Sequence, residues 1–384
     1  MSEWYFPGCP APPGWRPDWA DLLERYGWLE PLAQTPQDPH HHAEGDVLTH
    51  TRMVAEALCG LEEWRGLGAG ERSALFAGAL LHDIAKPVCT EIDAAGRISS
   101  PSHARKGEPV ARTLLWRDAP DYGDPPMAVR EQVARLVRHH GLPLWFLDRE
   151  QPERALVLAS QSVRLDRVAL LAEADARGRV CADGRELLAR IDLFRQLAAE
   201  LGCYDRPRAF ASDHSRFAYC RNPQASLGYD AYDDTRFEVV LMCGLPASGK
   251  DTWVRTQLPD RPVISLDAIR EELEIAPTEH PGPVAQAAKR RARELLQHGQ
   301  PFVWNATNIT RLLRRQLIDF FSAYGARVRI VCLDAPLAAI LRRNRARTDP
   351  VPEKVILRML EKFETPDLTE AHAVEYVSSP YKSD

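Results

Sequence analysis

Four side chains in the first half of the sequence are polar where helical periodicity requires apolar ones. His50 shares a face with Val47, Val54 and Leu61. His82 and Asp83 interrupt the apolar run LFAGALLHDIAK, and Asp175 falls on the face of Leu165, Val168 and Ala172. A buried imidazole or carboxylate is costly unless paired or bound to a metal. Any one of them alone reads as an ordinary satisfied core residue. Together, in the order His, His-Asp, Asp, they are better explained as ligands of one divalent metal, and imidazole with carboxylate suits Mn, Fe, Co, Ni or Zn. His103, in SPSHARKG, and His139-His140, in LVRHHG, extend the set to one that could hold one or two divalent metals. The plainer reading of His139 and His140 is charge complementarity at a helix C-terminus capped by Gly141. Paired metals can activate water and stabilise the leaving oxygen of a phosphoester. Lys86, one turn beyond His82, is placed to contact a substrate phosphate. His40, His41 and His42 are read as surface residues of an irregular stretch, although His42 is near enough in sequence to approach the site.

A second constellation follows the apolar run FEVVLMC. Gly244-Leu-Pro-Ala-Ser248-Gly249-Lys250 has the spacing G-x-x-x-x-G-K and opens the helix TWVRTQL. Glycines let such a loop turn its N–H groups toward phosphate oxygens. The helix dipole adds to this, and Lys250 supplies a point charge for the β- and γ-phosphates. Gly244, Ser248, Gly249, Lys250, Asp251 and Thr252 are therefore candidate ligands of ATP or another NTP with Mg²⁺. The residue after the lysine is normally Ser or Thr, whose hydroxyl binds Mg²⁺; here it is Asp251, followed by Thr252. Either the carboxylate, itself a hard ligand, binds the metal in altered form, or it faces away and Thr252 or water takes the position. VISLDAIR places Asp267 and Arg270 at a strand-to-helix junction, where both can face the phosphates. There Asp267 can accept a proton from an attacking hydroxyl, and Arg270 can hold a phosphate of the acceptor. The plainer reading is a helix-capping Asp with an exposed Arg.

The elements that must carry these groups fall into two sets. From 46 to about 201 the apolar spacing is helical almost throughout, which predicts an all-α domain over 1–201 with an arm at 1–45 that is irregular apart from a short helix near 18–26. Residues 202–235 are polar and Tyr-rich and read as a connector. From 236 to 384 short apolar strands (FEVVLMC, PVIS, PFVWN, RVRIVCL) alternate with helices, the pattern of an α/β domain with a parallel sheet. Two domains suit a chain of 384 residues. Its 49 Lys plus Arg against 54 Asp plus Glu exclude a uniformly basic nucleic-acid coat. Yet the stretch 285–347 holds thirteen Lys or Arg against three Asp or Glu, a local excess of +10, and Arg342, Arg343, Arg345 and Arg347 cluster at the end of one helix. As a set beside a phosphate loop they look like a lid that neutralises phosphates. The eight scattered cysteines, the lack of a long apolar run and an N-terminus unlike a signal peptide lead to the expectation of a cytoplasmic protein with no membrane attachment.

Residues 237–365 resemble the P-loop kinase domain of bacteriophage polynucleotide kinase. The shared order is the loop Gly244–Lys250, Asp267-x-x-Arg270, Thr307-Asn308, then Arg342-Arg343-Asn344-Arg345-Ala346-Arg347 and Val351-Pro352. The resemblance implies 5′-OH phosphorylation of a polynucleotide, with Asp267 as general base, Arg270 on the acceptor phosphate, and Arg343 and Arg347 on the donor. Residues 40–180 resemble an HD-superfamily phosphohydrolase domain, and HHAEGDVLTH, ALLHDIAKP, SHARKG, RHHGLP and EADARGR are similar to the HD domain of bacterial tRNA nucleotidyltransferases. No strand carrying GGxVRD precedes it in this sequence, so a CCA-adding enzyme is not the expected activity. The two domains in this order resemble the bacterial HD-Pnk family of bifunctional end-healing enzymes. That resemblance implies removal of 2′,3′-cyclic and 2′/3′-phosphates at the HD metal site through Asp83 and Lys86, with 5′ phosphorylation by the second domain. The substrate would be RNA, with DNA left open, and a separate RNA ligase would seal the ends. The competing expectations are an HD nucleotidase fused to a small-molecule or nucleoside kinase, and a non-catalytic NTP-binding regulator. The local +10 argues against the former, since a mononucleotide needs few phosphate contacts.

Overall fold

The computed structural model describes residues 4–275 and 282–378. The chain divides into two compact units, Met1–Ala209 and Phe210–Asp384. The long helices of the first are α1 (Val47–Gly60), α2 (Ala69–Leu81), α3 (His103–Arg117), α4 (Met127–His139), α5 (Leu165–Arg177) and α6 (Gly184–Glu200). Helix α1 starts where the Asp46 carboxylate accepts the Thr49 N–H at 2.8 Å, satisfying one of the free donors of its first turn. Helix α5 is apolar on most of its surface and packs against α1, α2 and α6. Gly178 ends it: an added Cβ would lie 2.6 Å from the Val54 backbone nitrogen, so only glycine allows α5 to end against the α1 backbone. This close approach sets Asp175 beside His50.

Local structure of this unit departs from the helical pattern in two places. The helical pattern over 153–177 is broken into Pro152–Ser160 and α5, because the Ser160 hydroxyl and the Gln161 amide bind the Arg208 backbone at the turn. The pattern over 71–86 stops at Leu81, and His82 and Asp83 follow in a turn. In the arm, the helix expected near 18–26 spans Trp19–Arg25 with Asp18 as its cap. Trp4, Phe6, Tyr26 and Leu29 of that arm are buried in the core, and Phe6, Tyr26 and Tyr122 stack there. Aromatic residues dense enough to be called irregular by spacing are, by area, large contributors to burial.

In the second unit, helix α7 (Asp213–Arg221) lies within the 202–235 stretch expected as a connector. Ser212 caps it, and Arg216 donates to the carbonyls of Leu368 and His372. The strands are β1 (Phe237–Cys243), β2 (Val263–Ser265), β3 (Phe302–Asn305), β4 (Ala326–Asp334) and β5 (Ala373–Ser378), in the order β2-β3-β1-β4-β5, all parallel. Helices α8 (Lys250–Gln257), α9 (Leu266–Glu272), α10 (Gly282–Gln297), α11 (Arg311–Ser322), α12 (Leu337–Arg345) and α13 (Glu353–Glu361) accompany the sheet. The central strands are near-continuous apolar runs, as sheets covered on both faces require. Strand β5 was absent from the sequence pattern because it is a half-exposed edge strand with the mixed composition AVEYVS.

Candidate functional site

The first unit gathers its histidines around Asp83. His82 Nε2 lies 3.2 Å from Asp83 Oδ2, and His103 Nε2 lies 3.3 Å from Asp83 Oδ1. His50 Nε2 lies 3.1 Å from Asp175 Oδ1 and 3.9 Å from Asp83 Oδ2, and His140 Nε2 is 4.0 Å from Asp83 Oδ1. The Nδ1 side of three rings is taken by a carbonyl three residues earlier: Ala79 for His82 at 2.7 Å, Ser100 for His103 at 2.9 Å, Val137 for His140 at 2.8 Å. Those carbonyls only accept, so Nδ1 carries the hydrogen and Nε2 is the nitrogen each ring turns inward. His103 and His140 thereby bring two such nitrogens to 3.3 Å of each other. Burial, with the neighbouring His82 and His103, holds the His140 pKa down at about 3, so that ring stays neutral. His50, His82 and Asp83 are buried, so their ring nitrogens and carboxylate oxygens meet one another away from solvent. A buried cluster of imidazole nitrogens and carboxylate oxygens this close together fits a divalent cation.

Three overlapping groups have ligand atoms close enough to share an ion: His42-Glu44-His50, His50-His82-Asp83 and Asp83-His103-His140. His42, expected at the surface, is buried, with its Nδ1 2.8 Å from Glu44. The turn through Glu44 and Gly45 draws it in, since Ala43 N–H donates to Val180 O and Val180 N–H to Glu44. His139, named beside His140 as a ligand, is in none of the three groups. Successive helical residues point about 100° apart, so the two rings do not share a direction. Lys86 donates to Asp83 Oδ2 at 2.7 Å and to Gln37 Oε1 at 2.6 Å, and is buried. Burial opposes the Asp83 anion, but Lys86 and then His82 outweigh it and keep the carboxyl well below its usual range. Sequence reasoning missed Glu44, Gln37 and Arg179. Arg179 grips Asp175 through two bonds of 2.9 and 2.7 Å, and its i,i+4 spacing in EADARGR was the available signal.

In the second unit, Gly244 (φ 149°), Ala247 (φ 60°) and Gly249 (φ 104°) bend the loop between β1 and α8. A Cβ on Gly244 would lie 2.8 Å from both Leu333 O and Ser248 Oγ. The Gly244 N–H donates to Thr307 O at 2.9 Å. Lys250 is buried and donates to Gly244 O and Leu245 O at 3.0 and 2.8 Å. Burial lowers its pKa; Asp251, Cys243 and Asp267 act in the opposite sense, and Arg347 adds to the lowering. Asp251, Asp267 and Arg347 thus all act electrostatically on one ammonium. Asp251 accepts from Asn305 Nδ2 at 2.6 Å, while the exposed Thr252 hydroxyl accepts from Arg255. The Asp267 carboxylate is 72% exposed and lies 3.8 Å from Arg270. Arg343 and Arg347 lie at the end of α12 and just beyond it; within that helix, Asn344 exchanges hydrogen bonds of 2.7 and 3.0 Å with the Val351 backbone. Sequence reasoning named Asn308 but missed Asn305 and Arg314.

The HD domain family matches residues 47–172, and the AAA domain family matches residues 239–366. The chain joins an HD domain to a kinase-like P-loop AAA domain. The HD domain implies a divalent metal, and the AAA domain implies an NTP with magnesium. An L-seryl-tRNA(Sec) kinase of Methanococcus maripaludis is 26% identical over 135 residues, 33% of this chain and 53% of the relative. The chain thus spans about half the length of the curated relative it matches. Among solved structures, a gluconokinase from Sinorhizobium meliloti is 20% identical with a TM-score of 0.28, covering 37% of this chain and 82% of its own. Kti12 from Chaetomium thermophilum, in complex with ADP-AlF3, is 13% identical with a TM-score of 0.29, covering 38% of this chain and 90% of its own. The HD domain and the kinase relative support an enzyme. Among the described residues, no helix is long and apolar enough to cross a membrane.

Proposed function

We propose that this chain heals RNA ends: the HD domain hydrolyses 2′,3′-cyclic phosphate and 2′/3′-phosphate termini, and the AAA domain phosphorylates 5′-OH termini from an NTP. The observation that carries this reading is the presence in one chain of two phosphate chemistries, a buried His/Asp cluster suited to a divalent cation and a phosphate loop with an exposed carboxylate nearby. In the HD domain, His50, His82, Asp83, His103, His140 and Asp175 would hold the metal, which when bound supplies an activated water and charge for the leaving oxygen. Lys86 fixes the Asp83 carboxylate, and Arg179 fixes that of Asp175.

In the AAA domain, the loop N–H groups and Lys250 would hold the donor phosphates, and Arg343 and Arg347 would add positive charge around the transferring group. Asp267 would take the proton of the attacking 5′-hydroxyl, for which its exposure and its Arg270 neighbour suit it. The curated relative is by name a kinase of seryl-tRNA, which supports an acceptor carried on RNA. The basic stretch 285–347 supports a polyanionic acceptor. Sealing would fall to a separate RNA ligase.

The test is end-group analysis of an RNA oligonucleotide bearing a 5′-OH and a 2′,3′-cyclic phosphate, incubated with NTP, Mg²⁺ and a panel of transition metals. Both ends are expected to be processed. Asp267→Ala should lower 5′ phosphorylation by about 100-fold or more and spare the 3′ reaction, and Asp83→Ala should do the reverse. A folded variant that lost both activities would remove the two-site reading. Faster phosphorylation of free nucleosides than of the oligonucleotide would replace it with the nucleoside-kinase reading.

A further inference from the structure

The residue after the loop lysine carries a carboxylate where a hydroxyl is usual, and Asn305 is what it meets. We propose that Asp251 and Asn305 together form the magnesium-facing edge of the nucleotide site, Asp251 as the ligand and Asn305 as the residue that positions it. This rests on the NTP-kinase reading of the second unit.

Asp251 lies in the first turn of α8, and its Oδ1 accepts from Asn305 Nδ2 at 2.6 Å. A carboxylate has no hydrogen to donate, so the contact fixes which end of the Asn305 amide is nitrogen. The amide oxygen is therefore turned away from Asp251. It is buried, in a residue 7% exposed, and has no hydrogen-bond partner. A helix-dipole role for Asp251 would require neither the amide nor an orphaned oxygen beside it. Asn305 ends β3 in register with Ser265 of β2, two residues before Asp267, so the pair stands between the phosphate loop and the segment that carries the acceptor-side carboxylate. Carboxylate and amide oxygens are hard donors. Magnesium typically takes one or two protein oxygens and completes its shell with phosphates and water. Thr252, the other candidate for the missing hydroxyl, accepts from Arg255 within its own helix.

The experiment measures equilibrium affinity, not turnover. The full-length chain is titrated with a fluorescent non-hydrolysable ATP analogue, first in chelator and then across a magnesium series. In the wild type, magnesium should tighten binding by about 10-fold or more. Asp251→Asn should reduce that gain to about 2-fold, leaving the magnesium-free affinity equal or tighter because a repelling carboxylate has gone. Asp251→Ser should restore the gain by returning the usual hydroxyl. Asn305→Ala should raise the magnesium midpoint about 10-fold with the magnesium-free affinity unchanged, the size expected for a group that orients a metal ligand. A purely structural role would not move that midpoint. The proposal is overturned if folded Asp251→Asn keeps the full magnesium gain, or if Asn305→Ala leaves the midpoint in place. A wild type that binds no nucleotide in either condition overturns the kinase reading itself, and the proposal with it.

Discussion

Glu44 sits on the Nδ1 side of His50 at 2.9 Å, as the backbone carbonyls sit on that side of His82, His103 and His140. Its other oxygen accepts the Val180 N–H at 2.9 Å. Burial opposes its charge, but the hydrogen bonds from His42 and His50 hold its pKa well below the usual carboxylate range. Glu44→Gln is therefore expected to weaken divalent-metal affinity by about 10- to 100-fold, read by competition against a chelating dye. A second prediction concerns His372 in the other unit. It is buried, accepts the Val328 N–H at 3.1 Å, and faces His214, Asp233, Arg327 and Arg216. Burial, with Arg327 and His214, depresses its pKa to about 3. An unfolded histidine takes up its proton near pH 6.5, which the folded one refuses. The stabilisation is thus fully present above about pH 6.5 and is lost as pH falls toward 3, by at most about 1.4 kcal/mol per pH unit. Denaturant midpoints should fall between pH 7.5 and 5.5, and less steeply in His372→Gln.

At the scale of elements, the phosphate loop is braced from α11. Arg314 is fully buried, pairs with Glu370 through two bonds of 2.8 Å, and donates to Asn308 O at 3.1 Å. Asn308, at φ 45°, donates to Met242 O at 2.7 Å, one residue before the end of β1. The motif Thr307-Asn308 thus works through the backbone of the loop's neighbours. Arg314→Met strips the buried Glu370 of its two short bonds, leaving it the Asp367 N–H at 3.3 Å and Arg311 at 4.0 Å, and should cost about 3 kcal/mol of stability. The double variant Arg314→Met/Glu370→Leu should recover most of that, because two apolar groups have no desolvation penalty to repay. Denaturant unfolding of the two variants distinguishes a stability role from loss of the loop's geometry.

For the whole molecule, the two proposed chemistries lead to the expectation of two separate ligand responses. Manganese at about 100 times its dissociation constant should stabilise the HD domain by about 2.7 kcal/mol, with the gain reversed by chelator and absent in His82→Ala. In a calorimetric scan only one transition should move, whereas the ATP analogue with magnesium should move the other.

Much of both sites was legible in the sequence, because spacing alone puts groups on one turn: His82 with Asp83 and Lys86, Gly244 through Lys250, Asp267 with Arg270. The two fold classes were legible for the same reason, since apolar periods of 3.6 and of 2 are local properties. What tertiary structure decided was every pairing between distant segments. Glu44 meets His42 and His50, Arg179 closes on Asp175, and Asn305 meets Asp251 54 residues away. Equally, His139 stands apart from the cluster while His140 joins it, His42 leaves the surface, and the apolar arm closes a core. The sequence by itself determined the two fold classes and which candidate residues stand on one local turn, because residue type and local period survive in one dimension. Which of them share a site, and what orients each one, depends on contacts made only when the chain closes on itself.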